Sequence, residues 1–140
     1  MKMLVGVDGS ESSQRAVAWC AAQAAALDAN VIAVHAIEMP IHALLPDAYA
    51  PPMYAAVDRE HIGDVLRDKW CSELHAAHVP FDTRVIAGYP ADVIIKTARL
   101  EDADIVVVGR RGLGGFEKLL LGSTSNQLSH HLNRTLVIVP

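Results

Sequence analysis

Cysteine is scarce in this chain. Cys20 and Cys71 are the only two among 140 residues. They lie far apart, match no metal-ligand spacing, and each falls in a helical pattern where a small apolar residue fits. That excludes a disulfide framework and a cysteine-based zinc site, and two buried thiols are expected. Long apolar runs are also missing. Met3, Leu4 and Val5 are cut short by Gly6 and Asp8, too soon for a signal-peptide core, and no stretch approaches membrane-spanning length. A soluble, cytoplasmic protein that does not enter membranes is the expectation. Concentrated positive charge is absent as well: 12 Lys and Arg against 16 Asp and Glu leave a net charge of −4, and the basic residues are scattered. Nucleic acid is therefore not expected as a partner. Repeats and low-complexity segments are lacking, so the chain reads as one domain over residues 1–140, long enough to bury well over half of its unfolded surface without a staple.

What is present is an alternation of strand and helix signals. Lys2 to Val7 reads as a first strand. Asp8-Gly9-Ser10 then turns into a helix from about Glu11 to Leu27, with Ser10 as its N-cap. Ala16, Cys20 and Ala24 recur at every fourth position beside Val17 and Ala21, a smooth face that lets the helix approach a sheet closely. Val31 to Ile37 is a second strand. Met39 to Ala55 carries four prolines and little periodicity, so a long loop is expected, and such loops are usually functional or mobile. Asp58 to about Ala77 returns to helical spacing, with Ile62, Val65, Leu66, Trp70 and Leu74 on one side. Phe81 to Ala87 is a third strand ended by Gly88. Pro90 suits the first turn of a helix carrying Val93, Ile94, Ile95 and Ala98. Asp104 to Val108, a helix from Ser123 to His131, and Thr135 to Val139 complete the pattern. The alternation implies an α/β fold, an open five-stranded parallel sheet with right-handed crossovers and helices on both faces. Ligands in such sheets bind outside the carboxyl ends of strands, where the strand order reverses. Asp8 follows the first strand and Gly109 the fourth, so a cleft lies between them if those strands are neighbours.

The richest local pattern follows the fourth strand: Gly109, Gly112, Gly114, Gly115, then Gly122 with Ser123, Thr124 and Ser125. Ile105 to Val108 is apolar and β-branched, as a buried parallel strand should be, and Gly122 opens a helix. Exposed backbone N–H groups at a helix start form an anion site. The spacing excludes a Walker A loop, which ends in Gly-Lys-Ser/Thr, and the dinucleotide fingerprint, which belongs to the first strand of its unit.

These residues resemble the universal stress protein family of the single-domain, nucleotide-binding type, and the resemblance covers nearly the whole chain. Val5-Gly6-Val7-Asp8-Gly9-Ser10 is similar to that family's opening strand and turn, Val34-His35-Ala36 to the end of its second strand, and Gly88-Tyr89-Pro90-Ala91 to the turn into its third helix. Asp104 through Gly112, followed after nine residues by Gly122-Ser123-Thr124-Ser125, resembles its ATP-binding signature. The resemblance implies strand order 3-2-1-4-5 in a Rossmann-like, adenine nucleotide α-hydrolase-like fold, with ATP in the cleft. By it, Asp8 and the backbone near Val7 would hold adenine or ribose, with Gly6 marking close approach of another group and Ala36 bordering the base. Val108, Gly109, Arg110, Arg111 and Gly112 would line ribose and phosphates, while Gly122, Ser123, Thr124 and Ser125 would close on the phosphate tail. Gly112 and Gly122 can take backbone angles that other residues resist and leave their N–H groups uncovered, while Ser123 and Ser125 would add hydroxyl donors. Asp8 reads equally as a helix-capping residue, and either arginine equally as a solvated side chain. Magnesium would travel with the ATP, with Asp8 the nearest carboxylate.

No catalytic residue stands out. Glu117 is the only carboxylate between Gly109 and Ser123, and it reads better as a solvent-facing partner of a nearby base than as a group orienting water. A nucleotide-dependent regulatory protein is therefore expected, with a slow ATPase using Glu117 or Asp8, or a sensor of cyclic AMP, as alternatives. His75 with His78, and His130 with His131, lack a third ligand at a recognised spacing, so no structural metal is expected. Thr135 to Val139 leaves an apolar sheet edge. The family resemblance implies a homodimer through that strand, although Asn133-Arg134-Thr135 replaces the family's more frequent cysteine-proline turn. The identity of any protein partner is not legible.

Overall fold

The computed structural model describes residues 1–38, 58–113 and 120–140. The anticipated loop from Met39 to Ala55, and Gly114, Gly115 and Glu117, lie outside them. The described elements are β1 (Lys2–Gly6), α1 (Glu11–Leu27), β2 (Asn30–Ile37), α2 (Arg59–Asp64), a π-helical stretch (Val65–Trp70), α3 (Ser72–Ala76), β3 (Phe81–Ala87), α4 (Pro90–Leu100), β4 (Ile105–Gly109), α5 (Ser123–His131) and β5 (Thr135–Val139). The strands form one five-stranded sheet in the order β3-β2-β1-β4-β5, and every pairing is parallel. The expected reversal therefore exists: β1 leads to β2 on one side and pairs with β4 on the other.

Side chains alternate across each strand and feed two apolar layers. Met3, Val5, Val31 and Val107 pack with Val17 of α1 and with Leu66, Cys71 and Leu74. Leu4, Ile32, Val34 and Val106 pack with Ile94 of α4 and Leu128 of α5. Burial on both faces explains why these strands read as nearly continuous apolar runs. Ser10 caps α1 as expected, accepting a hydrogen bond from the Ser13 amide. The αL residue Asp28, at φ 50°, ends that helix.

The span from Asp58 to Ala77 is not one α-helix. After α2 the chain widens into π-helical turns and then breaks at Cys71, whose N–H donates to the Leu66 carbonyl at 3.0 Å. A π turn places residues five apart on one side, so Leu66 and Cys71 both face inward and are fully buried. Cys71 thus sits at a helix break rather than within a helical run.

Burial pushes both thiols up to about 12, with the nearby Cys71 adding to the effect on Cys20. The folded protein therefore holds its thiol protons across neutral and mildly alkaline pH. An unfolded chain releases them near the ordinary value of 9.0, so stability falls as pH rises from there towards 12. We expect neither cysteine of the native protein to react with a thiol-specific disulfide reagent at pH 8, and both to react after denaturation. Rapid native labelling would contradict this burial.

Candidate functional site

Three structural features meet at the carboxyl end of the sheet. The first is the turn after β1. Asp8 Oδ1 accepts from the Ser10 amide at 2.9 Å, Ser10 Oγ accepts from Ser13 N at 3.1 Å, and the Asp8 amide lies 3.4 Å from Ser13 Oγ. Asp8 therefore organises the helix start. Its other oxygen faces the loop after β4, because a Cβ added to Gly112 would lie 2.7 Å from Asp8 Oδ2. Val7 is held at both ends: its N–H donates to Val34 O at 2.8 Å, and its carbonyl accepts from His35 Nδ1 at 2.8 Å. Gly9 carries a φ of +82°, and a Cβ there would lie 2.6 Å from Trp70 Cζ2, so only glycine fits.

The second feature is the exit from β4. Gly109 has no room for a side chain, since an added Cβ would lie 2.6–2.7 Å from the Ser12 carbonyl carbon, carbonyl oxygen and Oγ. That contact seats α1 directly on the strand end, and the Arg111 amide lies 3.3 Å from Ser12 Oγ. Arg110 N donates to Val139 O at 2.7 Å. Arg110 O accepts from the Gly122 amide at 2.8 Å and from Ser125 Oγ at 2.9 Å, which ties the two arms of the loop at its neck. Arg110 Nε is buried and has no hydrogen-bond partner among the described residues.

The third feature is the start of α5. Gly122 is its N-cap, and no side chain caps it. Neither does a side chain cap α4 at Tyr89. Both starts line a cavity of about 310 Å³, formed with Glu38 at the end of β2, Asp92, Ser123, Thr124 and Gln127. Uncapped helix starts leave N–H groups for a ligand, and each presents the positive end of its dipole.

The anticipated residues divide accordingly. Asp8, Gly112, Gly122 and the backbone of Arg110 and Arg111 are brought together, and Ser123 and Thr124 line the neighbouring cavity. Gly6, Val108 and Ala36 make packing contacts. The group that approaches Gly6 closely is core: an added Cβ would lie 2.8 Å from Ile94 Cδ1 and 3.1 Å from Val108 Cγ1. Val108 is itself buried, and Ala36 packs against the same layer. Ser125 is 2% exposed and its hydroxyl proton serves the carbonyls of Arg110 and Gly122, so it ties the neck rather than offering a donor to a ligand. Gly112 and Gly122 do not use the positive-φ freedom open to glycine. Among the described glycines positive φ occurs at Gly9 and Gly88, while Gly122 has an ordinary φ of −70°. What Gly122 requires is close approach of backbone, with Arg111 Cα 3.2 Å and Arg110 O 3.3 Å from an added Cβ. Glu117 lies outside the described residues.

The family model described as the universal stress protein family matches residues 1–140. The chain belongs to the universal stress protein family. A universal stress protein of Mycobacterium tuberculosis is 34% identical over 139 residues, spanning 98% of this chain and 94% of that protein. Among solved structures, the hypothetical protein MJ0577 superposes with a TM-score of 0.81 at 21% identity, covering 99% of this chain and 94% of that one. A universal stress protein in complex with cAMP gives 0.71 at 29% identity, covering 100% and 96%. A family member from Arabidopsis thaliana with AMP bound gives 0.67 at 21% identity, covering 99% and 90%.

Reading the sequence missed Ser12, Ser13, His35 and Trp70. The hydroxyls were visible as a serine-rich stretch after Asp8-Gly9. The His35 and Trp70 contacts join separate elements and leave no spacing signal.

Proposed function

We propose that this universal stress protein domain binds an adenine nucleotide between the turn after β1 and the neck after β4, and that occupancy regulates its contacts in a cytoplasmic stress response. The observation that carries this reading is the convergence of Asp8, Gly112, Gly122 and the uncapped start of α5. The donor set suits a phosphate: backbone N–H groups at a helix start, and backbone approach that a side chain would block. In this reading Asp8 Oδ2, unused by the Ser10 amide, faces the sugar or a magnesium ion travelling with ATP. Ser123 and Thr124 offer hydroxyls to the phosphates. A phosphate group bound there would bring only charge and hydrogen-bond acceptors, so the residues hold and orient it. We take ATP as the ligand.

A second reading, that AMP or cyclic AMP is preferred, is favoured by the presence of both Glu38 and Asp92 in the cavity wall, since carboxylates there disfavour a long polyphosphate. The relatives with cAMP and AMP bound are in keeping with it. A slow ATPase remains the third reading. We further propose a homodimer through β5, which stands at the edge of the sheet beside β4 and leaves Leu136, Val137, Ile138 and Val139 only half-buried.

The test is calorimetric titration of nucleotide-stripped protein with ATP and magnesium, AMP and cyclic AMP in parallel. Saturable binding of one nucleotide per chain is expected, and the rank order separates the first two readings. Absence of binding by all three would overturn the nucleotide-site reading.

A further inference from the structure

We propose that His35 and Trp70 are positioning residues of the nucleotide site, clamping the turn that carries Asp8 from the side of the α1 layer. This rests on the reading of that turn as part of an adenine-nucleotide site. Three contacts carry it. His35 Nδ1 meets the Val7 carbonyl at 2.8 Å. A carbonyl only accepts, so Nδ1 bears the proton and the ring's tautomer is set. The same ring packs edge-on against Trp70, with centroids 5.1 Å apart and planes at 62°. Trp70 in turn lies on Gly9, where its Cζ2 and Cε2 would be 2.6 and 2.8 Å from an added Cβ. Val7 and Gly9 are thus both pinned, and Asp8 sits between them.

Both residues are half-buried, and Trp70 packs on the core layer under α1, whereas the cavity lined by Ser123 and Thr124 abuts α4 and α5. The clamp therefore reaches the turn without occupying that cavity. Trp70 is the last residue of the π-helical stretch. A regular α-helix would turn the next residues differently; the wider turns let Leu66 and Cys71 fill the core and still lay the indole on Gly9. π-helical turns recur at functional sites for this reason, since they re-aim one side chain at a cost in regularity. The consequence for binding is pre-organisation. A turn that is already fixed loses less freedom when a ligand docks on it.

The experiment uses the nucleotide-stripped full chain and ATP with magnesium, AMP and cyclic AMP as probes. Trp19→Phe leaves Trp70 as the single tryptophan, because the chain has two. In that protein, saturating nucleotide is expected to leave the emission of Trp70 unchanged, because the clamp is in place before the ligand docks. His35→Leu, checked for folding by circular dichroism, is expected to weaken binding about tenfold, because a turn freed from the clamp must be ordered when the ligand docks. His35→Asn is expected to restore affinity to within about threefold, because its amide nitrogen stands near the place of Nδ1 and can donate to Val7 O. The rescue distinguishes a positioned donor from mere filling of space. The inference is overturned if nucleotide bound to the Trp19→Phe protein shifts Trp70 emission, or if folded His35→Leu binds as wild type does. Should His35→Leu fail to fold, the Trp70 emission and His35→Asn results decide. If wild type binds none of the three nucleotides, the site reading falls and this inference with it.

Discussion

A Gly122→Val protein is expected to fold and to bind the wild-type nucleotide roughly 100-fold more weakly, a loss of about 2.8 kcal/mol at 1.4 kcal/mol per tenfold. The φ of Gly122 is −70°, which valine tolerates, so backbone strain does not enter. The effect arises from contact alone. The first atom added would meet Arg111 Cα at 3.2 Å, Arg110 O at 3.3 Å and Gly112 N at 3.5 Å, and none of these is a flexible side-chain end. The two branches of valine must therefore open the neck. Opening it weakens the 2.8 Å bond from Gly122 N to Arg110 O and parts Gly112 from the start of α5, so the donors no longer converge on one ligand. The core layers are untouched. Gly122→Ala supplies the graded control, since a single methyl asks its neighbours to yield only a few tenths of an ångström. Calorimetric titration of both variants checks the prediction, and wild-type affinity in a folded Gly122→Val protein would remove the neck from the binding site.

Leu128→Ala is expected to destabilise the protein by about 3 kcal/mol, within the roughly 2–5 kcal/mol range for a buried leucine emptied to alanine. That is a large share of the roughly 5–15 kcal/mol available to an ordinary domain. The site of the change matters more than its size. Leu128 and Ser125 are the only buried residues of α5, at 0% and 2% exposure, and Asn126, Gln127, His130 and His131 face solvent. The helix is thus held to α4 and β5 chiefly by one apolar side chain. Loosening it also loosens the helix start that the nucleotide reading requires, so a fall in affinity should accompany the fall in stability. Urea unfolding monitored by circular dichroism measures the first effect and titration the second. A stability change below about 1 kcal/mol would show that α5 is held by something other than Leu128.

Most element boundaries were legible because they are written locally. Ser10 followed by an alanine-rich face marks α1, Pro90 marks the start of α4, and Gly122 marks the start of α5; each signal lies within a turn of what it predicts. The segment from Asp58 misled for a related reason. Leu66, Trp70 and Leu74 keep a spacing of four, which a regular helix satisfies, and although a buried Cys71 is expected, nothing in that spacing announces the wider turn that brings it inward. Accommodating Leu66 and Cys71 together demands a wider turn, and that demand comes from the α1 layer facing them. The glycines show the same division. Their clustering near the end of β4 is visible in the chain, but the reason for each differs: Gly109 admits α1, Gly112 admits Asp8, and Gly122 admits the backbone of Arg110 and Arg111.

The amino-acid sequence by itself determined the alternation of strands and helices, the continuous apolar runs that demand burial on both faces, and the glycine and hydroxyl signature of the family. All of these depend on residues near one another along the chain, where period, capping and turn chemistry act. Only the tertiary structure decided that Ser125 ties the neck, that Ser12 receives Gly109, and that His35 and Trp70 grip the turn around Asp8. The His35 to Val7 hydrogen bond spans 28 residues, and Ser12 and Arg111 are 99 apart. Contacts of that range follow from strand order and register, which bring the ends of β1, β2 and β4 together, and no local pattern carries them.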